Sequence, residues 1–261
     1  MSAGLRALDA ALGAVHAQTR APGHGPVSLD TLALPRGLSA LVLAPHPDDF
    51  DAIAITLRRL QAQGTHLHLA VCTTGASGVE TGYAGAQTDA AKAALREREQ
   101  MASCACFGLP AAQLEFLRLP NDEGGNPRLD DANHATVQRL LVEQQPHCVF
   151  LPHGNDSNVT HQRTYALIAA VARQMHYPLW AWLNQDAKTL AMHQDLYTPF
   201  DEDTARWKAE LLRFHASQHQ RNLNTRGHGF DARVLGLNQQ SARAVQADQP
   251  YAEVFELQRL G

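Results

Sequence analysis

One histidine and two aspartates stand together where an apolar run stops, in Leu41-Val42-Leu43-Ala44-Pro45-His46-Pro47-Asp48-Asp49. Imidazole nitrogen and carboxylate oxygen are ordinary Zn2+ ligands, and a catalytic zinc site uses three protein ligands and keeps a position for water. Placed three apart across a tight turn, His46 and Asp49 can converge on one ion. Asp48 then keeps a free carboxylate, the equipment of a general base. Pro47 fixes φ in this turn, and both carboxylates fall at the start of the next helix, where the dipole favours anions. The plainer alternative is a helix cap, a common use of Asp at this position. A second polar stretch, Pro152-His153-Gly154-Asn155-Asp156-Ser157-Asn158-Val159-Thr160-His161, also lies between an apolar strand and a helix. A ligand from it, His161 or His153, would complete a His/Asp/His site. Such a set does not select zinc strongly, so iron is an alternative occupant.

These residues must be carried by strand ends. Strands are predicted at about Ser39 to Ala44, His66 to Cys72, Leu114 to Leu117, His147 to Leu151 and Leu179 to Leu183, from short apolar runs bounded by turn residues. Helices are predicted between them at about Phe50 to Gln63, Thr88 to Gly108, Asp130 to Gln145 and Thr160 to Met175. In the second of these, Ala91, Leu95, Arg98, Ala102 and Cys106 recur on one side, with Arg96 and Glu99 opposite. The alternation implies a parallel sheet in an α/β domain, with ligands outside the carboxyl ends of its strands. Beyond Leu183 the pattern loosens to helices at about Asp203 to Gln218 and Ala232 to Ala244, separated by a polar, Gly-rich stretch through Gly229. The loop from Thr74 to Gly85 is long enough to serve as a lid.

With 261 residues and 44% hydrophobic content the chain can bury a full core, which favours one large domain. A leading helix and connecting segment over 1–38, with Leu5, Leu8, Leu12 and Val15 at helical spacing, precedes the domain proper at 39–261. The net charge of -4 offers no basic field for nucleic acid and suggests a small or neutral substrate. No apolar stretch is long enough for a membrane span or a secretory signal, so a cytoplasmic protein is expected. None of the four cysteines forms a C-x-x-C pair, which makes buried free thiols the default. No G-x-G-x-x-G follows the first strand, so a dinucleotide is not indicated.

The His46-Pro47-Asp48-Asp49 turn, the Arg96/Glu99 pair, the loop ending at His161 and the closing Pro250-Tyr251-Ala252-Glu253-Val254-Phe255 resemble the PIG-L/LmbE-like zinc-dependent N-deacetylases. The resemblance spans roughly Leu41 to Leu257. It implies a single-domain, Rossmann-like α/β fold with a mostly parallel sheet flanked by helices. It also implies deacetylation of a small amino-sugar conjugate, chiefly of glucosamine, by a Zn2+ enzyme, and, since such folds often assemble, a homo-oligomer. In it, His46, Asp49 and His161 would hold zinc and Asp48 would be the base. Arg96 would contact the sugar, and Asp122, after the third strand, would bind a hydroxyl or cap a turn. Two departures stand out. Asn158 replaces the histidine that aids the oxyanion in the family, a task His153 could assume. Phe50 replaces the glutamate that closes the turn, either packing against the loop or narrowing the pocket. The family's cluster after a late helix corresponds to Gln218 and His219, for which solvent exposure is expected. Two rivals remain: a non-catalytic sugar-binding relative, and a glycosyltransferase using Asp49-Phe50-Asp51 as a D-x-D metal site.

Overall fold

A computed structural model describes residues 3–175 and 179–261; Met1 and Ser2 of the expected opening helix lie outside them. In chain order the elements are α1 (Ala3–Thr19), β1 (Val27–Ser28), β2 (Ser39–Ala44), α2 (Asp49–Ala52), α3 (Ala54–Ala62), β3 (His66–Val71), α4 (Asp89–Phe107) and β4 (Leu114–Phe116). There follow α5 (Asp131–Gln144), β5 (Cys148–Pro152), α6 (Val159–Gln174), β6 (Leu179–Asn184), β7 (Leu196–Phe200), α7 (Glu202–Arg213), α8 (Ala216–Arg226), α9 (Phe230–Ala244) and β8 (Tyr251–Leu260). One eight-stranded sheet runs in the order β1-β7-β8-β6-β5-β2-β3-β4. Only β8 runs against its neighbours, β6 and β7.

Strand β2 lies between β3 and β5, parallel to both, with Val42 level with Leu69 and Phe150. It is apolar throughout because both faces are covered. Ala40, Val42 and Ala44 face one core and Leu41 and Leu43 the other, the two-residue alternation of a strand. From β2 the chain winds first toward β3 and β4, and later toward β5 and β6. The reversal leaves a crevice outside the carboxyl ends of β2 and β5, from which the two polar stretches emerge. Leu8, Leu12 and Val15 of α1 share the first of these cores, and β1 joins the sheet, so residues before 39 pack as part of the same body.

The helix expected over 50–63 is two helices, broken at Ile53. The break is satisfied from elsewhere: Glu253 accepts from Ile55 N and Thr56 N at 3.0 and 2.7 Å, and Lys208 Nζ donates to Ala52 O at 2.6 Å. The helix expected at 203–218 likewise divides, at His215, a fully buried side chain. Helix α4 is rotated from the face its apolar residues suggest. Arg98, Ala102 and Cys106 are exposed, while Arg96, Glu99, Gln100, Ser103, Cys104 and Phe107 point inward. Its ends are as expected, Thr88 capping Ala91 N and Gly108 left-handed at φ 88°.

All four cysteines are free, and burial pushes the thiols of Cys72, Cys104 and Cys148 up to about 12, which makes them inert. Cys106, expected to be buried, is exposed. No helix among the described residues is long and apolar enough to cross a membrane.

Candidate functional site

The turn after β2 is built around a strained aspartate. Asp48 has φ 108°, a left-handed conformation uncommon for any residue but glycine, and its amide donates to Gln100 Oε1 at 2.8 Å. This geometry folds Asp49 back, so that its Oδ2 accepts from His46 N at 2.8 Å and lies 3.3 Å from His46 Nδ1. His161, in the first turn of α6, brings its Nε2 to 3.8 Å from Asp49 Oδ1. Candidate ligand atoms of His46, Asp49 and His161 all lie within 4.8 Å of one another. Two imidazoles and a carboxylate at this spacing fit a divalent cation.

Behind His161 sits Asp156, fully buried, with Oδ2 3.2 Å from His161 Nδ1 and Oδ1 accepting from Asn158 N at 2.6 Å. A carboxylate on the far nitrogen fixes the tautomer and leaves Nε2 free to bind a metal. Asp156, His161 and Asp186 form a second group at ligand spacing, but it shares His161, and Asp156 is already committed to positioning. Burial alone would raise the Asp49 carboxyl; the charge of His161 and the His46 contacts outweigh it and hold it well below the usual carboxylate range. Burial would lower the His161 imidazole, yet Asp49 and Asp156 together draw it above its ordinary value. The pocket is therefore organised to stabilise positive charge at this point.

Arg96 is buried beneath the turn. Its Nη2 lies 2.8 Å from Asp48 Oδ2 and also donates to Pro47 O, while Nη1 is 3.5 Å from Glu99 Oε2. Glu99 in turn accepts from Ser217 N and Oγ, both at 2.7 Å. This is no solvated surface pair. Gly75, at φ 61°, lets the next loop close over it, since a Cβ there would stand 3.1 Å from Pro47 Cδ and 3.3 Å from Arg96 Nε.

The ligand set and Asp48 line a cavity of about 540 Å³ with Arg96, Asn126, Asn158, Thr160 and residues of α8 and α9. Asn158 caps α6 through Oδ1, accepting from Thr160 N at 3.0 Å. Asp122 is not in the lining. It pairs with Arg163 and accepts from Gly124 N and Asn126 N at 2.9 and 3.1 Å, shaping the loop whose Gly124, Gly125 and Asn126 are. Gln218, expected to be solvated, is buried against Gly78 O at 2.9 Å and lines the cavity, whereas half-buried His219 pairs with Asp231 at 3.3 Å. The long loop after β3 contains two 3-10 turns, at Ala76–Gly78 and Tyr83–Gly85.

The expected placement of His153 is corrected. It borders a separate cavity with Arg20 and Tyr165, its Nε2 3.2 Å from Glu256 Oε2 and its Nδ1 accepting from Asn155 N. Phe50 belongs to the core, meeting Phe107 edge-on at 4.9 Å. The D-x-D alternative also fails geometrically. Asp51 is fully buried, with Oδ2 2.6 Å from His215 Nε2 and 3.1 Å from Gln100 Nε2, and Ser103 on its other oxygen.

The Glu256 carboxyl, which burial would raise, is held down to about 2 by His153, the His193 amide and Arg20. Its contribution to stability is complete above its ordinary value of 4.5 and is lost as pH falls through that range toward 2. Glu256→Gln should therefore flatten the acid limb of the stability curve, read as urea midpoints against pH. A limb parallel to wild type would show that these contacts do not matter to folding.

Gln100 and Asp156 were not anticipated from sequence. Asp156 carried a signal, a carboxylate five residues before His161 in the same loop; Gln100 carried none.

The fold is shared with solved proteins of low identity. The N,N'-diacetylchitobiose deacetylase of Pyrococcus horikoshii aligns with a TM-score of 0.68 at 18% identity, covering 84% of this chain and 83% of its own. The 4-carboxy-2-hydroxymuconate hydratase of Pseudomonas putida KT2440 gives 0.63 at 21%, covering 84% and 95%. The zinc-inhibited form of a teicoplanin deacetylase gives 0.61 at 16%, covering 85% and 98%. No curated protein sequence matches the chain. The pattern of one family matches residues 41–172, just over half of the chain, from the strand ahead of His46 to the helix that carries His161. The chain belongs to that family, PIG-L: GlcNAc-PI de-N-acetylase.

Proposed function

We propose that this protein is a metal-dependent hydrolase that removes the acyl group, acetyl in the simplest case, from an N-acylated amino sugar or sugar conjugate. One observation carries the reading: a His/Asp/His ligand set beside a carboxylate that is not part of it, in one cavity. Since the fold hosts deacetylases and a hydratase alike, the site must decide the chemistry.

His46, Asp49 and His161 would hold Zn2+, with iron as the alternative. When bound, the ion supplies Lewis acidity to the amide carbonyl and to the attacking water. Asp48 takes the proton of that water and delivers it to the leaving nitrogen, one carboxylate serving both transfers. Arg96 orients the Asp48 carboxylate through Nη2. Asn158, its Oδ1 engaged at the helix cap, has amide hydrogens to donate to the tetrahedral oxyanion, a task that does not fall to His153, which borders another cavity. Thr160 and Asn126, hydrogen-bonded to each other at 2.9 Å, offer contacts for sugar hydroxyls.

Metal content by mass spectrometry, joined to amine release from N-acetylglucosamine conjugates, tests the reading. Wild type should carry about one metal per chain. His161→Ala should lose it, and Asp156→Asn should weaken metal affinity by about 10–100-fold. A wild-type protein that takes up no transition metal would overturn the assignment and leave a binding module.

A further inference from the structure

The net charge of -4 offers no basic field overall, yet the charge is not evenly placed. Lys188, after β6, Arg221 and Arg226 on α8, and Arg233 on α9 all line the cavity that holds the ligand set. None of the four forms an ion pair with a carboxylate among the described residues. Arg221 has only a marginal contact, 3.5 Å to Gly78 O. Lys188 is felt by Asp156 as a charge, without direct contact. Neighbouring basic residues are otherwise spoken for: Arg213 is 2.7 Å from Asp231, and Lys208 is 2.7 Å from Glu253.

Lining carboxylates do not balance the four cations. Asp48 is paired with Arg96, Asp49 belongs to the ligand set, and Asp186 is the remaining one. Helix α8 independently marks the wall as a binding face. Gln218, Arg221, Asn222 and Thr225 recur at i, i+3, i+4 and i+7 and all border the cavity, so the helix turns a polar stripe to it. Guanidinium groups without partners present planar forks suited to carboxylate and phosphate oxygens. This wall also lies beyond residues 41–172, the part the family pattern covers.

We infer that the substrate carries, besides its N-acyl group, an anionic group, a phosphate or a carboxylate, which Lys188, Arg221, Arg226 and Arg233 receive on the α8 and α9 side of the cavity. The inference rests on the deacylase reading and narrows the small or neutral substrate expected from net charge to a small, charged one.

The test is calorimetric titration of the metal-loaded protein with three probes: N-acetylglucosamine 1-phosphate, carboxymethyl N-acetylglucosaminide and the neutral methyl N-acetylglucosaminide. At least one anionic probe should bind about tenfold or more tightly than the neutral one, as charge-assisted hydrogen bonds allow. The tighter of the two names the anion. In R221Q/R233Q the preference should vanish while the neutral probe binds as before; neither side chain has an ion pair to lose, so the fold is kept. Equal affinities, failure of both anionic probes to bind, or a preference that survives in R221Q/R233Q would overturn the inference, the last placing the anion on the metal centre. Amine release from the same probes separates the two readings. An Arg-dependent preference without amine from any probe supports the anion site and sinks the deacylase; amine from all three at equal efficiency sinks the anion site alone.

Discussion

Asp48→Asn should lower kcat by about 10²–10⁴-fold with metal content unchanged, the loss of a general base without the loss of a ligand. Asparagine is the informative replacement. It keeps the shape of the side chain, can still accept from Arg96, and tolerates the left-handed backbone at φ 108° that alanine would find strained. Single-turnover rates on the best N-acetylated conjugate, with metal analysis of the same sample, give the answer. Retention of most of the wild-type kcat would remove Asp48 from the mechanism, and loss of metal would instead make it a ligand.

A second large effect is expected at the buried Lys208–Glu253 pair. Lys208→Met should cost about 3–5 kcal/mol of stability, because it strands a carboxylate in the core. Lys208 and Glu253 are essentially inaccessible and 2.7 Å apart, and burial depresses the lysine against the pull of its partner. Together they satisfy the backbone groups exposed where α2 gives way to α3. Adding Glu253→Gln should recover part of the loss, since an amide oxygen can still accept from Ile55 or Thr56 and carries no charge. Urea unfolding of the two variants decides the matter. A single-variant loss below about 1 kcal/mol, the range of exposed pairs, would mean the break at Ile53 is held by other contacts.

The central strands were legible because β2, β3, β5 and β6 are short apolar runs bounded by turn residues. Strand β7 was missed because Pro199 interrupts it, and prolines argue against a strand. Strand β8 was missed because Glu253, Glu256, Gln258 and Arg259 break its apolar pattern, although Glu253 is almost wholly buried by pairing. The inward face of α4 was misread for the same reason. Hydrophobic periodicity assumes that what points inward is apolar, whereas this helix sends Arg96, Glu99 and Gln100 to the site. In the site, His46, Asp48 and Asp49 were visible because one turn holds them, and His161 because it repeats the strand-loop-helix setting one strand away. The cationic wall was invisible. Its members are scattered over 188–233 and meet only when α8 and α9 fold over the crevice.

His215 stands at the joint between α7 and α8, and its ring is 2.6 Å from Asp51, which is held by Gln100, which holds the Asp48 amide. The root of the helix that lines the cavity is thereby anchored to the backbone of Asp48, the carboxylate proposed as base. On the proposed reading, specificity and reactivity would share a foundation at that end. On that reading, a change near His215 would reach turnover through Asp51 and Gln100, whereas Arg221, Thr225 and Arg226, on the outer turns, stand outside that chain of contacts.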